Sequence, residues 1–324
     1  MGSLNVGSSF AFFSLDVLAC PLDHSSLEPA GKDLVCQQGH KFEVEQGYPV
    51  FAKSPRREIV PGNMGPKPPV NDDHAAVDSF VDDWIVNTNG NLYWSARGRL
   101  KRYPIPEWPF SRGAGKRLLD VGCSWGRWSA SAARAGYKPI GLDVHLDAVA
   151  AAGRVSNQLG LQAEFVCADA DAFPIRTNSM DMVFSYSVLQ HLERSKVLRF
   201  FAECFRILKP GGLCLVQMPN RFGLVSILQQ ARRGFREARA DTFEMRYWSH
   251  SEIQNGLASA GMMAPRIFTD GFFSQNARTS DLDLLSAAGN CIVLASELGR
   301  RASVLIPPLT RFADSLWVQS QKES

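Results

Sequence analysis

Residues Leu118–Ser129, "LLDVGCSWGRWS", contain the clearest local signal of fold class in the sequence. An apolar run ends at Asp120, glycines follow at Gly122 and Gly126, and a helix-like segment begins near Arg127. Glycines permit a tight turn, and a helix N-terminus after a strand directs backbone N–H groups into one small space. The spacing is neither that of the G-x-G-x-x-G pyrophosphate loop nor that of a P-loop. Because the carboxylate of Asp120 would repel a phosphate, we expect a ligand whose ammonium or amino group lies beside this turn.

The segments around this turn alternate between short apolar runs and helix-like stretches. Such alternation predicts a doubly wound, mostly parallel sheet with ligands at the carboxyl ends of its strands. Asp143 follows the second run, where an acidic side chain can accept both hydroxyls of a ribose, and Asp169 follows the third. A nucleoside with a cationic amino-acid tail fits these positions together with Asp120. The predicted strands are "KRLLDVG", "KPIGLDV", "AEFVCAD", "MDMVFSYS", "GLCLVQMP" and, near the end, "DSLWVQSQK".

Five motifs carry a family resemblance. Asp120-x-Gly122-x-x-x-Gly126, Asp143, "CADADAFP", "MDMVFSYSVLQHL" and "FRILKPGGLCLVQMPN" resemble, in order and spacing, the motifs of class I S-adenosylmethionine (SAM)-dependent methyltransferases of the type 11 group. The resemblance covers about residues 77–324. It implies an α/β fold, a Rossmann-like seven-stranded mostly parallel sheet, with SAM as the cofactor. The implied cofactor-binding residues are Asp120, Gly122, Cys123, Gly126, Asp143, Val144, Asp169, Ala170 and Ser185.

The exit of the fourth strand, "SYSVLQHL", carries the candidate catalytic residues Tyr186, Gln190 and His191. Methyl transfer needs orientation of the nucleophile and often only a proton acceptor, so few residues have to be dedicated to it. His191 could remove a proton near neutral pH, or it could cap a helix or pack against the sheet. Tyr186 could equally shape the pocket.

A possible metal site lies near the N-terminus in "CPLDHSSLEPAGKDLVCQQGH". A tetrahedral zinc ion takes four soft or borderline donors. The stretch resembles the N-terminal zinc ribbon of bacterial rRNA guanine methyltransferases, except that Asp23 stands where those proteins have a cysteine. Two hypotheses follow: a structural Zn²⁺, or a metal-free ribbon held by aromatic packing. The ligands in the first are Cys20, Asp23, Cys36 and His40, with His24 as an alternative fourth ligand.

The sequence divides into a zinc-ribbon-like domain at 1–55, a Pro- and Gly-rich linker at 56–76 and the methyltransferase-like domain at 77–324. Two segments, at about 221–246 and 272–313, are predicted substrate-cover insertions. The first carries five arginines beside an apolar face, which favours either an anionic or amphiphilic acceptor or a solvated helix face. The second could enclose a hydrophobic substrate or mediate oligomer contacts. The arginines are Arg221, Arg232, Arg233, Arg236 and Arg239.

Composition restricts the function classes. The 324 residues are 45% hydrophobic, and the net charge of +3 gives no global signature of nucleic-acid or membrane binding. The first residues contain neither a signal-peptide pattern nor a membrane span, so we predict a cytoplasmic protein without transmembrane segments. Seven scattered cysteines argue against a disulfide framework.

Three functions remain open. The first is a methyltransferase that modifies an O, N or C nucleophile of a small or amphiphilic acceptor, such as a metabolite, lipid or glycan. The second, ranked lower because the basic patch in the linker is short, is an RNA base methyltransferase acting on rRNA or tRNA. The third is a non-catalytic SAM-binding protein.

Overall fold

The computed structural model describes residues 14–56, 77–239, 244–273 and 276–323. The predicted linker at 56–76 lies almost wholly outside these ranges. In the N-terminal part, four short antiparallel strands form a sheet in the order β1-β2-β3-β4. The strands are β1 (Leu27–Ala30), β2 (Asp33–Cys36), β3 (Lys41–Glu45) and β4 (Tyr48–Pro49).

A seven-stranded sheet forms the centre of the rest of the structure, in the order β10-β11-β9-β8-β5-β6-β7. Only β11 runs antiparallel to its neighbours β9 and β10. The predicted Rossmann-like, mostly parallel sheet is confirmed, and each of the six predicted strands is present. The strands are β5 (Arg117–Val121), β6 (Lys138–Asp143), β7 (Glu164–Cys167), β8 (Met180–Ser185), β9 (Leu208–Pro219), β10 (Arg266–Gly271) and β11 (Ser315–Gln321).

Helices form crossover connections between the parallel strands of this sheet. The predicted strand "GLCLVQMP" begins at Gly212, whereas β9 begins at Leu208, directly after the helix that ends at Ile207. The helix cannot continue through this segment easily, because Pro210 disfavours the helical conformation of the residue before it. The helices are α1 (Ser79–Asn89), α2 (Arg127–Arg134), α3 (Leu146–Gln158), α4 (Arg194–Ile207), α5 (Leu224–Arg232), α6 (His250–Ser259) and α7 (Ala287–Leu305).

The small sheet shares its hydrophobic core with the large one. Leu34, Phe42 and Phe51 belong to the same buried cluster as Leu119 of β5, and the rings of Phe42 and Phe51 lie 5.0 Å apart. The chain then continues along the edge of β7, where the Phe51 N–H donates to the Cys167 carbonyl at 2.7 Å. A unit of this size buries little apolar surface by itself, so the shared core is a major source of its stability.

The second predicted insertion contains α7, which lies between β10 and β11. Leu298, Val304 and Leu305 on this helix are 67%, 72% and 83% exposed. Oligomer contacts through this surface stay a prediction, as do the domain boundaries. Among the helices in the four described ranges, none has the length and apolar character needed to cross a bilayer.

Candidate functional site

The turn after β5 has the strained geometry that its glycines predict. Gly122, Ser124 and Gly126 all have positive φ angles, of 75°, 49° and 82°. A Cβ atom on Gly122 would collide with the side chain of Val188, so this position needs glycine for space as well as for conformation. Gly126 is the N-cap of α2, which directs the N–H groups of its first turn toward the loop.

Asp120 lies inside β5 beneath this turn. Its side chain is buried and accepts a hydrogen bond from the Ser129 hydroxyl at 2.6 Å. Burial, and secondarily the charge of Asp143, raises the pKa of Asp120 to about 7. Because a buried carboxylate is costly without a partner, a cation beside it would be stabilising.

Asp143 ends β6, next to the glycine turn. One carboxylate oxygen accepts from the Ser124 N–H and the other from the His145 N–H, both at 2.9 Å. Burial raises the pKa of Asp143 above its ordinary value, and the two backbone donors oppose that rise. A carboxylate has about four lone-pair sites, so roughly two remain for further donors.

The ends of β6 and β7 are crossed by the chain that leaves the small sheet. The Lys53 N–H donates to Asp169 at 3.1 Å, and the Arg56 N–H donates to the Val144 carbonyl at 2.9 Å. Ala170 is half-buried beside Asp169. Lys53 and Arg56 therefore lie beside predicted cofactor residues, and the sequence does not predict this, because an irregular segment gives no signal of its tertiary partners.

The exit of β8 reaches the same region. Ser185 is fully buried, and its hydroxyl donates to the Val121 carbonyl of β5 at 2.9 Å, so this side chain ties the two strands together. Gln190 is buried and donates to the Ser187 hydroxyl at 2.7 Å. His191 is half-buried at the end of a short 3-10 helix. The remaining predicted cofactor residue, Cys123, is buried in the turn.

Tyr186 has partners that limit its use as a base. Its hydroxyl donates to Asp270 at 2.9 Å and accepts from Arg278 at 2.9 Å. Burial raises the pKa of this hydroxyl far above its ordinary value. The geometry favours the pocket-shaping alternative for Tyr186, and the catalytic roles of Gln190 and His191 stay predictions.

A buried ion pair supports the helix after the glycine turn. Arg127, the first residue of α2, contacts Asp281 at 3.0 Å, and the Tyr93 hydroxyl donates to the same carboxylate at 2.6 Å. Arg127 also donates to the Pro104 carbonyl at 2.7 Å. Sequence reasoning missed this pair because its members are 154 residues apart.

The four proposed metal ligands, which lie in or next to the small sheet, form one cluster. Donor atoms of Cys20, Asp23, Cys36 and His40 all lie within 4.8 Å of one another, and His24 is not part of this group. His40 Nδ1 is 2.9 Å from Asp23 Oδ2, 3.3 Å from Cys36 Sγ and 3.5 Å from Cys20 Sγ. Tetrahedral ligands at about 2.0–2.3 Å from a zinc ion would be separated by similar distances.

Comparison with known proteins agrees with this geometry. Residues 118–212 match the sequence profile of a family described as a methyltransferase domain. The match begins at β5 and ends in β9, so the matched segment includes the glycine turn, Asp120, Asp143 and Asp169.

Two relatives of the chain are methyltransferases by name. A ubiquinone biosynthesis O-methyltransferase of Parvibaculum lavamentivorans is 25% identical over 155 residues, which cover 45% of this chain and 58% of that protein. A Mycolicibacterium smegmatis protein named "Probable S-adenosylmethionine-dependent methyltransferase" is 36% identical over 114 residues, or 34% and 40% of the two chains. The chain thus spans less than two thirds of the length of either relative.

A SAM-dependent methyltransferase of Methanosarcina mazei aligns with a TM-score of 0.45 and 19% identity, over 64% of this chain and 93% of that chain.

Proposed function

We propose that the protein is a SAM-dependent methyltransferase that modifies a small organic acceptor. The observation that carries the proposal is the grouping of three carboxylates, Asp120, Asp143 and Asp169, at adjacent strands around a glycine turn in a methyltransferase domain. The name of the Parvibaculum relative supports a small-molecule acceptor.

Each part of the site has a role in this proposal. Asp120 would stabilise the α-ammonium group of SAM, Asp143 would accept the ribose hydroxyls, and Asp169 would accept from the adenine edge. Backbone N–H groups at the start of α2 would bind the carboxylate group of SAM. When bound, SAM supplies an electrophilic methyl group on a sulfonium. Gln190 and His191, after β8, would orient the acceptor and hold its proton.

A labelled-methyl assay tests the function. The protein would be incubated with SAM carrying an isotopic methyl label and with lipid, glycan, metabolite and tRNA or rRNA fractions. We expect label in the small-molecule or lipid fractions. Label in RNA alone would support the RNA base methyltransferase alternative, and SAM binding without transfer to any fraction would support the non-catalytic one.

The affinity for SAM should depend on pH through Asp120. Its raised pKa, about 7, means that the carboxyl is largely protonated at pH 6 and largely ionised at pH 7.5. Since only the ionised carboxylate attracts the ammonium group of SAM, the affinity for SAM should rise about five- to tenfold between pH 6 and 7.5. This interval lies below a pH of about 8, the ordinary pKa at which an α-ammonium group loses its own proton. Calorimetric titrations at several pH values would measure the change.

The Asp120→Asn variant is the control for this pH dependence. It should bind SAM more weakly, with an affinity that stays flat between pH 6 and 7.5. The assignment to Asp120 would be wrong if the variant kept the pH dependence of the original protein.

We also propose that the small sheet holds a structural Zn²⁺. The ligand set of two thiols, an imidazole and a carboxylate is one that zinc accepts. Asp23 Oδ1 accepts hydrogen bonds from the N–H and hydroxyl of Ser25, which leaves Oδ2 directed at the cluster. The N–H groups of Leu22 and His40 point at the sulfurs of Cys20 and Cys36, at 3.4 and 3.3 Å. These supporting contacts are typical of metal sites.

Loss of zinc should destabilise the protein. Cys36→Ser should abolish zinc binding and lower the melting temperature by about 5 °C or more, because binding to the folded state contributes directly to stability. Elemental analysis and thermal melts would measure both effects. Cys291→Ser, at an exposed cysteine outside the cluster, should change neither. Protein purified without chelators that contains no zinc would contradict the proposal.

A further inference from the structure

A cavity of about 420 Å³ lies beside α5, in the first predicted insertion. Its walls are α5 with the residues on either side of it, and the segment Met245–Tyr247. Small-molecule sites in proteins have volumes of about 300–1,000 Å³, so the cavity is the size of a metabolite or a short lipid. Four predicted cofactor residues, Asp120, Gly122, Asp143 and Asp169, are not among its lining residues.

The cavity wall carries an excess of positive charge. Four arginines line it, Arg221, Arg233, Arg236 and Arg246, against one carboxylate, Glu237. Glu237 is paired with Arg194, which does not line the cavity, at 3.2 Å. Arginine stays protonated even when it is buried, so an anion in this space would be stabilised.

Two of the four guanidinium groups have binding capacity left. Arg236 contacts Glu244 at 2.9 Å, and Arg221 lies 3.5 Å from Glu252. Arg233 is 3.9 Å from Glu244, donates one hydrogen bond to the Met245 carbonyl at 3.0 Å and lies over the Tyr247 ring. Its buried Nε has no hydrogen-bond partner among the residues that the structure describes.

The guanidinium group of Arg246 is the second one with binding capacity left. Its side chain is buried, and its guanidinium donates to the backbone carbonyls of His191, Glu244 and Arg239. Carbonyl dipoles compensate a full charge less well than a carboxylate or phosphate does.

The same cavity also has apolar walls. Phe222, Ile227 and Phe235 line it and are 52%, 42% and 68% exposed. Ser226 is the one residue of α5 that is buried, where its N–H and hydroxyl donate to Asp314. Contact between these exposed apolar side chains and a hydrocarbon would be stabilising, because both surfaces would be removed from water.

Hydrogen bonds and packing link the cavity wall to the glycine turn through the segment that follows β8. The Arg246 N–H donates to the Gln190 carbonyl at 2.8 Å, and Gln190 donates in turn to Ser187. The next residue, Val188, packs directly against Gly122. An acceptor held in the cavity would therefore lie next to the segment that carries the candidate catalytic residues.

We propose that this cavity binds the methyl acceptor and that the acceptor is an anionic amphiphile, a hydrocarbon body with a carboxylate or phosphate group. The inference rests on the proposed function. Arg233 and Arg246 bind the anionic group. The hydrocarbon contacts the apolar side chains of Phe222, Ile227 and Phe235.

Calorimetric titration of the full chain with decanoate tests the proposal, with decanol and acetate as neutral and chain-free probes. We expect decanoate to bind at one site, about tenfold or more tighter than either comparison probe, because a charge-assisted contact and apolar burial act together. Arg233→Gln should lower decanoate affinity about tenfold and leave decanol affinity unchanged. Arg233→Lys, which keeps the charge, should retain most of the affinity.

Arg232→Gln is the matched control, because it removes the same charge from an exposed neighbouring position that does not line the cavity. Its decanoate affinity should equal that of the original protein. Equal binding of decanoate and decanol, or equal losses in Arg232→Gln and Arg233→Gln, would overturn the proposal. So would a single-stranded RNA that binds more tightly than decanoate in an Arg233-dependent way.

Titration of the same samples with SAM separates this inference from the proposed function. If decanoate binds as expected and SAM does not bind, the methyltransferase function fails and the amphiphile site stands. If SAM binds and decanoate does not, the function stands and this inference fails.

Discussion

The Asp143→Ala variant is expected to bind SAM about 100-fold more weakly than the original protein. The two lone-pair sites that the backbone donors leave open would accept the two ribose hydroxyls. Hydrogen bonds to a charged group contribute about 1.5–3 kcal/mol each, so losing both should cost about 3 kcal/mol, or about two orders of magnitude in Kd. Calorimetric titration measures the loss.

The variant could also weaken binding by disturbing the glycine turn, since Asp143 accepts from Ser124 within it. A SAM analogue that lacks the 2′-hydroxyl separates the two effects. The original protein should discriminate strongly against the analogue, whereas Asp143→Ala should bind both compounds nearly equally. If the variant discriminates as well as the original, Asp143 does not bind the ribose.

The second large effect is expected on stability. Asp281→Ala should lower the free energy of unfolding by about 3–5 kcal/mol, because it leaves the buried guanidinium of Arg127 without its carboxylate. For a chain of this size the melting temperature should fall by about 10 °C. Thermal and denaturant unfolding would measure both quantities.

Asp283→Ala is the matched control for this variant. Asp283 lies two residues further along and pairs with Arg102 at the surface, with its side chain 61% exposed. Exposed pairs contribute about 0–1 kcal/mol, so this variant should melt close to the original temperature. The double variant Arg127→Met with Asp281→Leu should recover much of the loss, because it removes both charges. Equal melting of Asp281→Ala and Asp283→Ala would refute the importance of the buried pair.

The sequence predicted the central sheet well because its strands are local patterns. A short apolar run that is followed by an acidic residue or a breaker determines its own conformation and burial. Examples are "LLDVG" and "PIGLDV". Parallel strands with helical crossovers then align their carboxyl ends. For this reason the grouping of Asp120 with Asp143 could be anticipated from two separate motifs.

Contacts between distant segments could not be anticipated in this way. Arg127 pairs with Asp281, and the Lys53 N–H bonds Asp169, because the tertiary fold brings these segments together, and no spacing rule encodes either contact. The arginine-rich segment after β9 was visible in the sequence. Arg246 lies with Arg233 at the cavity, whereas Arg232 faces solvent. This arrangement depends on the path that the chain takes after α5.

Calorimetric titration of the purified protein with SAM is the decisive measurement for the cofactor assignment. We expect one saturable site per chain with a Kd of about 1–100 μM, and no comparable heat with ATP or NAD. The absence of saturable binding at SAM concentrations up to about 1 mM, in protein that melts cooperatively, would show that the chain is not a SAM-binding protein.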